Sequence, residues 1–357
     1  MEFGPNLFHA SGVRPDRISA ELVAIVVVRD EMWRMPFFLA YHRWIGIQHF
    51  IVIDNRSIDG TSDFLKSEPD VTCILAPGDF KSSSYSRDWF YWALRLAPPH
   101  RWNLILDADE LFIGTQLIRG NLVALTRSLD RECVSIAAAS MVDCYPPIFP
   151  VAEQSFEPVP WQRAPYFDCG PYFQWPQSGE RITYIYHGVR QRICWPYWSW
   201  RKIVPRPLRP RAMRDAPPWV MKMPLLRNDP GLVFQNQHIS SGLPRSKCLF
   251  AILHFKFDID LHTKVDIALR ELQHAAGSRE YKAYARVLSL PGFDMRCPDT
   301  RLFDGMQSLI SAELVNFPYC SHINTSAADR ILKEIVEEIW HYGDLSLQER
   351  VWHRTWS

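Results

Sequence analysis

A chain of 357 residues that is 47% hydrophobic and 13% aromatic can bury a substantial core, which excludes global disorder. Its formal net charge of +1 provides no electrostatic case for a nucleic-acid partner. No stretch approaches the roughly 20 apolar residues that a membrane-spanning helix needs, and the first residues, with Pro5, His9 and Arg14, lack the apolar segment of a secretory signal, so a cytoplasmic protein is expected.

Residues 1–20 read as a polar lead-in. Leu22 to Val28 is an unbroken, β-branched apolar run, the pattern of a central parallel strand, and it ends in the polar turn Arg29-Asp30-Glu31. A helix is predicted from about Pro36 to Trp44, with proline in its first turn and Gly46 stopping it. His49 to Ile53 is a second strand, which runs into Asp54-Asn55-Arg56-Ser57-Ile58-Asp59-Gly60-Thr61, a loop dense in turn formers. A short helix over Thr61 to Lys66, a strand over Val71 to Leu75 and an aromatic helix over about Ser84 to Leu96 follow. Trp102 to Leu106 is the fourth strand and feeds the acidic run Asp107-Ala108-Asp109-Glu110. This alternation predicts an α/β fold built on a doubly wound, mostly parallel sheet. In such sheets ligands bind beyond the carboxyl ends of the strands, and polar clusters fall there after the first, second and fourth strands.

Beyond Ser135-Ile136-Ala137-Ala138-Ala139 the periodicity fades, and residues 145–235 read as an ordered, irregular insertion rich in Pro, Trp, Tyr and Arg. Leu249 to Phe257 regains strand character, Leu261 to His274 reads as a helix, and Ala327 to Trp340 as an amphipathic helix capped by Ser326. The expected division is a core domain over 20–260, with halves 20–140 and 141–260, and a helical extension over 261–357. The cysteines Cys73, Cys133, Cys144, Cys169, Cys194, Cys248, Cys297 and Cys320 contain no Cys-x-x-Cys pair, which argues for reduced thiols and against structural zinc. Asn324-Thr325-Ser326 fits a glycosylation sequon, which has no meaning without secretion.

Asp107 and Asp109 are two residues apart, so in extended backbone their carboxylates point the same way. Like charges held together repel unless a cation offsets them, and a hard divalent ion, Mn²⁺ or Mg²⁺, would do so while leaving positions open for phosphate oxygens. An isolated Asp-x-Asp reads more readily as a solvated acidic turn capping the next helix. The strand before it and the two earlier polar clusters favour the metal.

Val28-Arg29-Asp30-Glu31, Tyr41-His42, Gly46, Ile53 to Thr61 and Leu104-Ile105-Leu106-Asp107-Ala108-Asp109-Glu110-Leu111-Phe112 together resemble the successive signatures of glycosyltransferase family 2, in the bacterial branch related to the eukaryotic family 92 enzymes. Met141-Val142-Asp143-Cys144-Tyr145-Pro146, Pro165-Tyr166-Phe167-Asp168, Gly188-Val189-Arg190, Lys222 to Arg227 and Leu253-His254-Phe255-Lys256-Phe257 extend the resemblance over about residues 20–260. The resemblance implies a GT-A fold, a nucleotide-diphosphate sugar donor, a divalent metal and a glycan or lipid-linked acceptor. It implies nucleotide-sugar contacts for Arg29, Asp30, Glu31, Asp54, Asp59, Asp107 and Arg190, and metal ligation by Asp107, Asp109 and His254, with His238 a weaker alternative to His254. The usual Lys-Asn-Glu after the first strand is Arg29-Asp30-Glu31 here, a departure at the second position.

Inverting transfer also requires a carboxylate near the acceptor hydroxyl. Asp168, Asp143 and Glu180 are the candidates, with Asp168 favoured because Tyr166-Phe167-Asp168-Cys169-Gly170 reads as a positioned turn. From Trp195 to Arg214 the chain carries four aromatics and six basic residues with no acid. This tract reads as a peripheral contact with the anionic inner face of a membrane, as a lid over the donor diphosphate, or as a solvated loop. Two other functions share parts of the pattern. A nucleotidyltransferase needs paired acids and metal, but also a glycine-rich grip on a triphosphate, and residues 29–36 contain no glycine. A non-catalytic nucleotide-sugar or glycan binder would not need intact acids.

Overall fold

The computed structural model describes residues 2–4, 6–114, 122–149, 159–170, 173–176, 183–186, 188–195, 204–208, 219–290 and 292–317. The fold is α/β. Residues 1–20, expected as a lead-in, carry two strands, β1 (Glu2–Gly4) and β2 (Leu7–Ser11), and β2 alternates between buried and open positions as a strand with one covered face does. The four apolar runs become β3 (Leu22–Val28), β4 (His49–Asp54), β5 (Val71–Leu75) and β6 (Trp102–Asp107). Every residue of β4 is buried, as a strand covered on both faces requires. β3 pairs in parallel with β4 and β6, and β4 in parallel with β5. β2 closes the outer edge of β5 in antiparallel register, Phe8 opposite Leu75. Gly12 (φ +84°) follows it, and a Cβ there would fall 1.9 Å from the Val71 carbonyl oxygen, so only glycine lets the chain pass.

β7 (Glu110–Ile113) leaves the acidic run directly. Then come β8 (Ile136–Asp143), β9 (Ile148–Phe149), β10 (Tyr166–Asp168), β11 (Phe173–Pro176) and β12 (Thr183–Tyr186). The remaining strands are β13 (Met221–Arg227), β14 (Val233–Asn236), β15 (Ile239–Ser241), β16 (Arg245–His254), β17 (Phe293–Asp294) and β18 (Thr300–Leu302). A ten-stranded sheet has the order β1-β2-β5-β4-β3-β6-β13-β8-β16-β7. β13 is antiparallel to β6, with Leu225 opposite Leu104.

The chain forms two compact units, each assembled from separate stretches of sequence. The first comprises Met1–Ala139, Lys222–Ile252 and Val315–Ser357. Its helix Met35–Trp44 buries Met35, Phe37, Phe38, Leu39, Tyr41 and His42, and the Tyr41 hydroxyl donates to the Phe112 carbonyl at 2.9 Å. That bond ties the helix to β7, just past the acidic run. The second unit comprises Ser140–Met221 and Leu253–Leu314, so the last residues of β8 and β16 count with it. Its core holds the fully buried Tyr145, Phe167, Phe257 and Tyr284, with Phe257 edge-on to Tyr284. The helix expected over Leu261 to His274 is two helices, Leu261–Glu271 and Ala275–Leu288. Leu272 takes a left-handed conformation (φ +51°) and ends the first.

Of the basic, aromatic tract, Trp195 is buried, while 196–203 and 209–218 lie outside the described residues, as do Glu180, Cys320, the sequon at Asn324 and the helix expected over Ala327 to Trp340. Among the described residues no helix is long and apolar enough to cross a membrane.

Candidate functional site

Parallel register aligns the carboxyl ends that matter. Val28 of β3 sits opposite Asp54 of β4, and Val27 opposite Asp107 of β6. The turn after β3 and the loop after β4 therefore leave the sheet side by side, and they are laced together. The Asp30 N–H donates to Ser57 Oγ, and Asp30 Oδ1 accepts the Ile58 N–H at 2.7 Å. Asp59 accepts the Met32 N–H on one oxygen and the Thr61 N–H on the other, while Thr61 Oγ1 accepts the Glu31 N–H. The Glu31 carboxylate pairs with Arg34 at 2.9 Å. Asn55 donates its side-chain amide to the carbonyls of Ala76 and Gly78, and Asp54 Oδ1 accepts the Ser57 N–H.

Asp30, Glu31 and Asp59 thus direct carboxylate oxygens to the loop itself. Burial raises the Asp30 carboxyl above its ordinary range, against the Ile58 N–H it accepts, and the neighbouring charges of Asp59 and Asp54 add to the rise. Arg29 lies 3.9 Å from Asp30. Asp54, 1% exposed, stands at the base of this laced loop.

The acidic run is folded back on itself, because the Asp107 N–H donates to Glu110 Oε2 at 2.9 Å. A cation that the sequence reading passed over sits beside it. Continuing the antiparallel register of β13 and β6 brings Lys222 opposite Asp107, and its Nζ lies 2.6 Å from Asp107 Oδ2 and 2.7 Å from Glu110 Oε1. Gln237 Nε2 donates to the other oxygen of Asp107 at 3.0 Å, and the Gln237 carbonyl accepts the Met223 N–H. Both Asp107 oxygens are thus engaged by side chains. Burial raises the Asp107 carboxyl, but the Lys222 charge and the hydrogen bonds from Lys222 and Gln237 together outweigh it and leave the group below its ordinary range; burial likewise lowers the Lys222 ammonium, and Asp107 and Glu110 more than reverse that.

Asp109 and Glu110 of the first unit bring two carboxylates, oxygen donors of the kind that Mn²⁺ and Mg²⁺ accept. His254 carries the support typical of a ligating histidine: its Nδ1 lies 2.6 Å from Asp143 Oδ1, so in the neutral ring the proton sits on Nδ1 and Nε2 keeps the lone pair.

In the second unit, Arg190 Nε donates to Asp143 Oδ2 at 2.8 Å, and Nη1 reaches Glu280 at 3.4 Å. Tyr284 donates its hydroxyl to Glu280. Arg190 and Asp143 are both buried and form an ion pair. Burial raises the Asp143 carboxyl, yet the Arg190 charge and the His254 bond bring it below its ordinary range. Asp168 is also enclosed. Tyr145 donates its hydroxyl to Oδ1 at 2.5 Å, Arg192 Nε donates to Oδ2 at 3.0 Å, and Asp168 pairs across β10 and β18 with Thr300. The partners of Asp143 and Asp168 reach both oxygens of each. His238 lies in the turn between β14 and β15, where its N–H donates to Asn236 Oδ1.

No family model matches the chain. No curated protein matches it either. Among solved structures, one that matches is described as "Crystal structure of 4-diphosphocytidyl-2C-methyl-D-erythritol synthase", at 12% sequence identity and a TM-score of 0.28, over 59% of this chain and 75% of that one.

Proposed function

We propose that this chain is a metal-dependent glycosyltransferase, moving a sugar from a nucleotide-diphosphate donor to a glycan or lipid-linked acceptor with inversion. The observation that carries the reading is the alignment of strand ends in the first unit. It brings the laced loop around Asp54 and the acidic run to one edge of a parallel sheet, where ligands of such sheets bind.

In this reading Asp54 and the loop backbone meet the nucleoside, while Asp30, Glu31 and Asp59 keep that loop rigid before the donor arrives. Asp109 of the acidic run supplies oxygen to the ion. When bound, a divalent ion supplies the positive charge that a diphosphate leaving group needs as the glycosidic bond breaks. Asp143 orients the His254 ring, and Arg190 keeps Asp143 ionised.

The test is donor turnover across a panel of nucleotide-diphosphate sugars, with and without Mn²⁺. Asp109→Asn is expected to abolish metal-dependent turnover while the circular dichroism spectrum persists. Full turnover in that variant sinks the reading.

A further inference from the structure

An Asp-x-Asp at a strand end ordinarily suggests that both acids face one metal. Here the first acid already has a cation. The Lys222 side chain is 2% exposed, so water does not serve its ammonium, and its two nearest anionic partners are Asp107 and Glu110. An ammonium offers three donors in a compact charge. Gln237 closes the opposite side of Asp107, and the Asp107 N–H binds Glu110 from behind. Lys222 reaches this place by strand register, so it is as firmly positioned as the sheet.

We propose that Lys222 is the resident counter-cation of the acidic run, a positioning residue that withholds Asp107 from metal and leaves Asp109 to take a single divalent ion. The ammonium does for Asp107 what a second ion would otherwise do: it offsets a carboxylate held against another carboxylate. A lysine cannot leave, so Asp107 stays charged and fixed whether or not metal and donor are present. The inference rests on the metal reading above only for the ion at Asp109.

Direct Mn²⁺ titration of the full chain, by paramagnetic resonance and calorimetry, tests it without recourse to turnover. The wild type is expected to take one ion. Asp107→Asn is expected to keep that ion with an affinity change below about tenfold, because Asp107 is not a ligand. Lys222→Met, which keeps the length and removes the charge, is expected to take up one additional Mn²⁺ and to have its melting temperature raised by it; Lys222→Met with Asp107→Asn is expected to lose that additional ion. A lysine that served packing alone would lower the melting temperature without changing the ion count. The proposal is overturned if Asp107→Asn weakens the wild-type ion more than about tenfold, or if folded Lys222→Met takes up no additional ion. Should Lys222→Met not fold, the Asp107→Asn titration decides. Should the wild type bind no Mn²⁺, the metal reading fails, while a single ion gained by Lys222→Met and lost with Asp107→Asn still supports the role of Lys222.

Discussion

Lys222 in the first unit and Arg190 in the second are both buried cations placed between two carboxylates. They differ in what surrounds them. Lys222 is a point charge whose partner Asp107 has a side chain 40% exposed, so one face of that cluster is open. Arg190 is a planar fork, its partner Asp143 is 1% exposed, and the second oxygen of Asp143 is already held by His254. The open cluster suits a place where a ligand arrives and leaves. The closed one suits a support that must not move.

Breaking the closed cluster gives the largest expected loss. Arg190→Met strands the Asp143 carboxylate, and the stability measured by denaturant unfolding is expected to fall by about 3–5 kcal/mol. Lys222→Met in metal-free buffer is expected to cost less, about 2 kcal/mol, since water can reach Asp107. Equal losses would erase the contrast. His42 sharpens it from the other side, as a buried base with no carboxylate. Its Nδ1 bonds the Phe38 carbonyl, Nε2 has no hydrogen-bond partner, and burial pushes its pKa from 6.5 down to about 3. The unfolded chain therefore binds the extra proton between those values. Stability from His42 is fully present above about 6.5 and drains as pH falls toward 3, at about 1.4 kcal/mol per unit. His42→Leu is expected to flatten that slope in unfolding measured from pH 6 to 4. The smallest effect is expected for Tyr145→Phe, which leaves Asp168 with Arg192; about 1–2 kcal/mol should be lost in the same unfolding assay.

The parallel core was legible because its signals are local. Leu22–Val28 and Val71–Leu75 are strands with the bounds that their apolar runs predict, and the acidic run follows a strand as expected. What escaped is long-range. Lys222 meets Asp107 across 115 positions of sequence, and only the β13–β6 register makes them neighbours. Asp168 carries a turn-like motif, yet its partners Arg192 and Thr300 come from distant segments. The break at Leu272 was missed because a left-handed leucine has no local signature of the kind glycine provides. The strand at Leu7–Ser11 was readable in principle, since its alternation is the signal of a half-buried strand, but polar neighbours masked it.

That strand has a consequence for how the molecule keeps to itself. β5 is Val71-Thr72-Cys73-Ile74-Leu75, uncharged and rich in residues that favour extended pairing. Uncovered, it would offer a row of unsatisfied N–H and C=O groups on which a strand from another copy could add. β2 takes those groups first, and Gly12 turns the chain away once they are filled. The opening residues thus act as a guard against self-association, protecting the sheet from its own most adhesive strand.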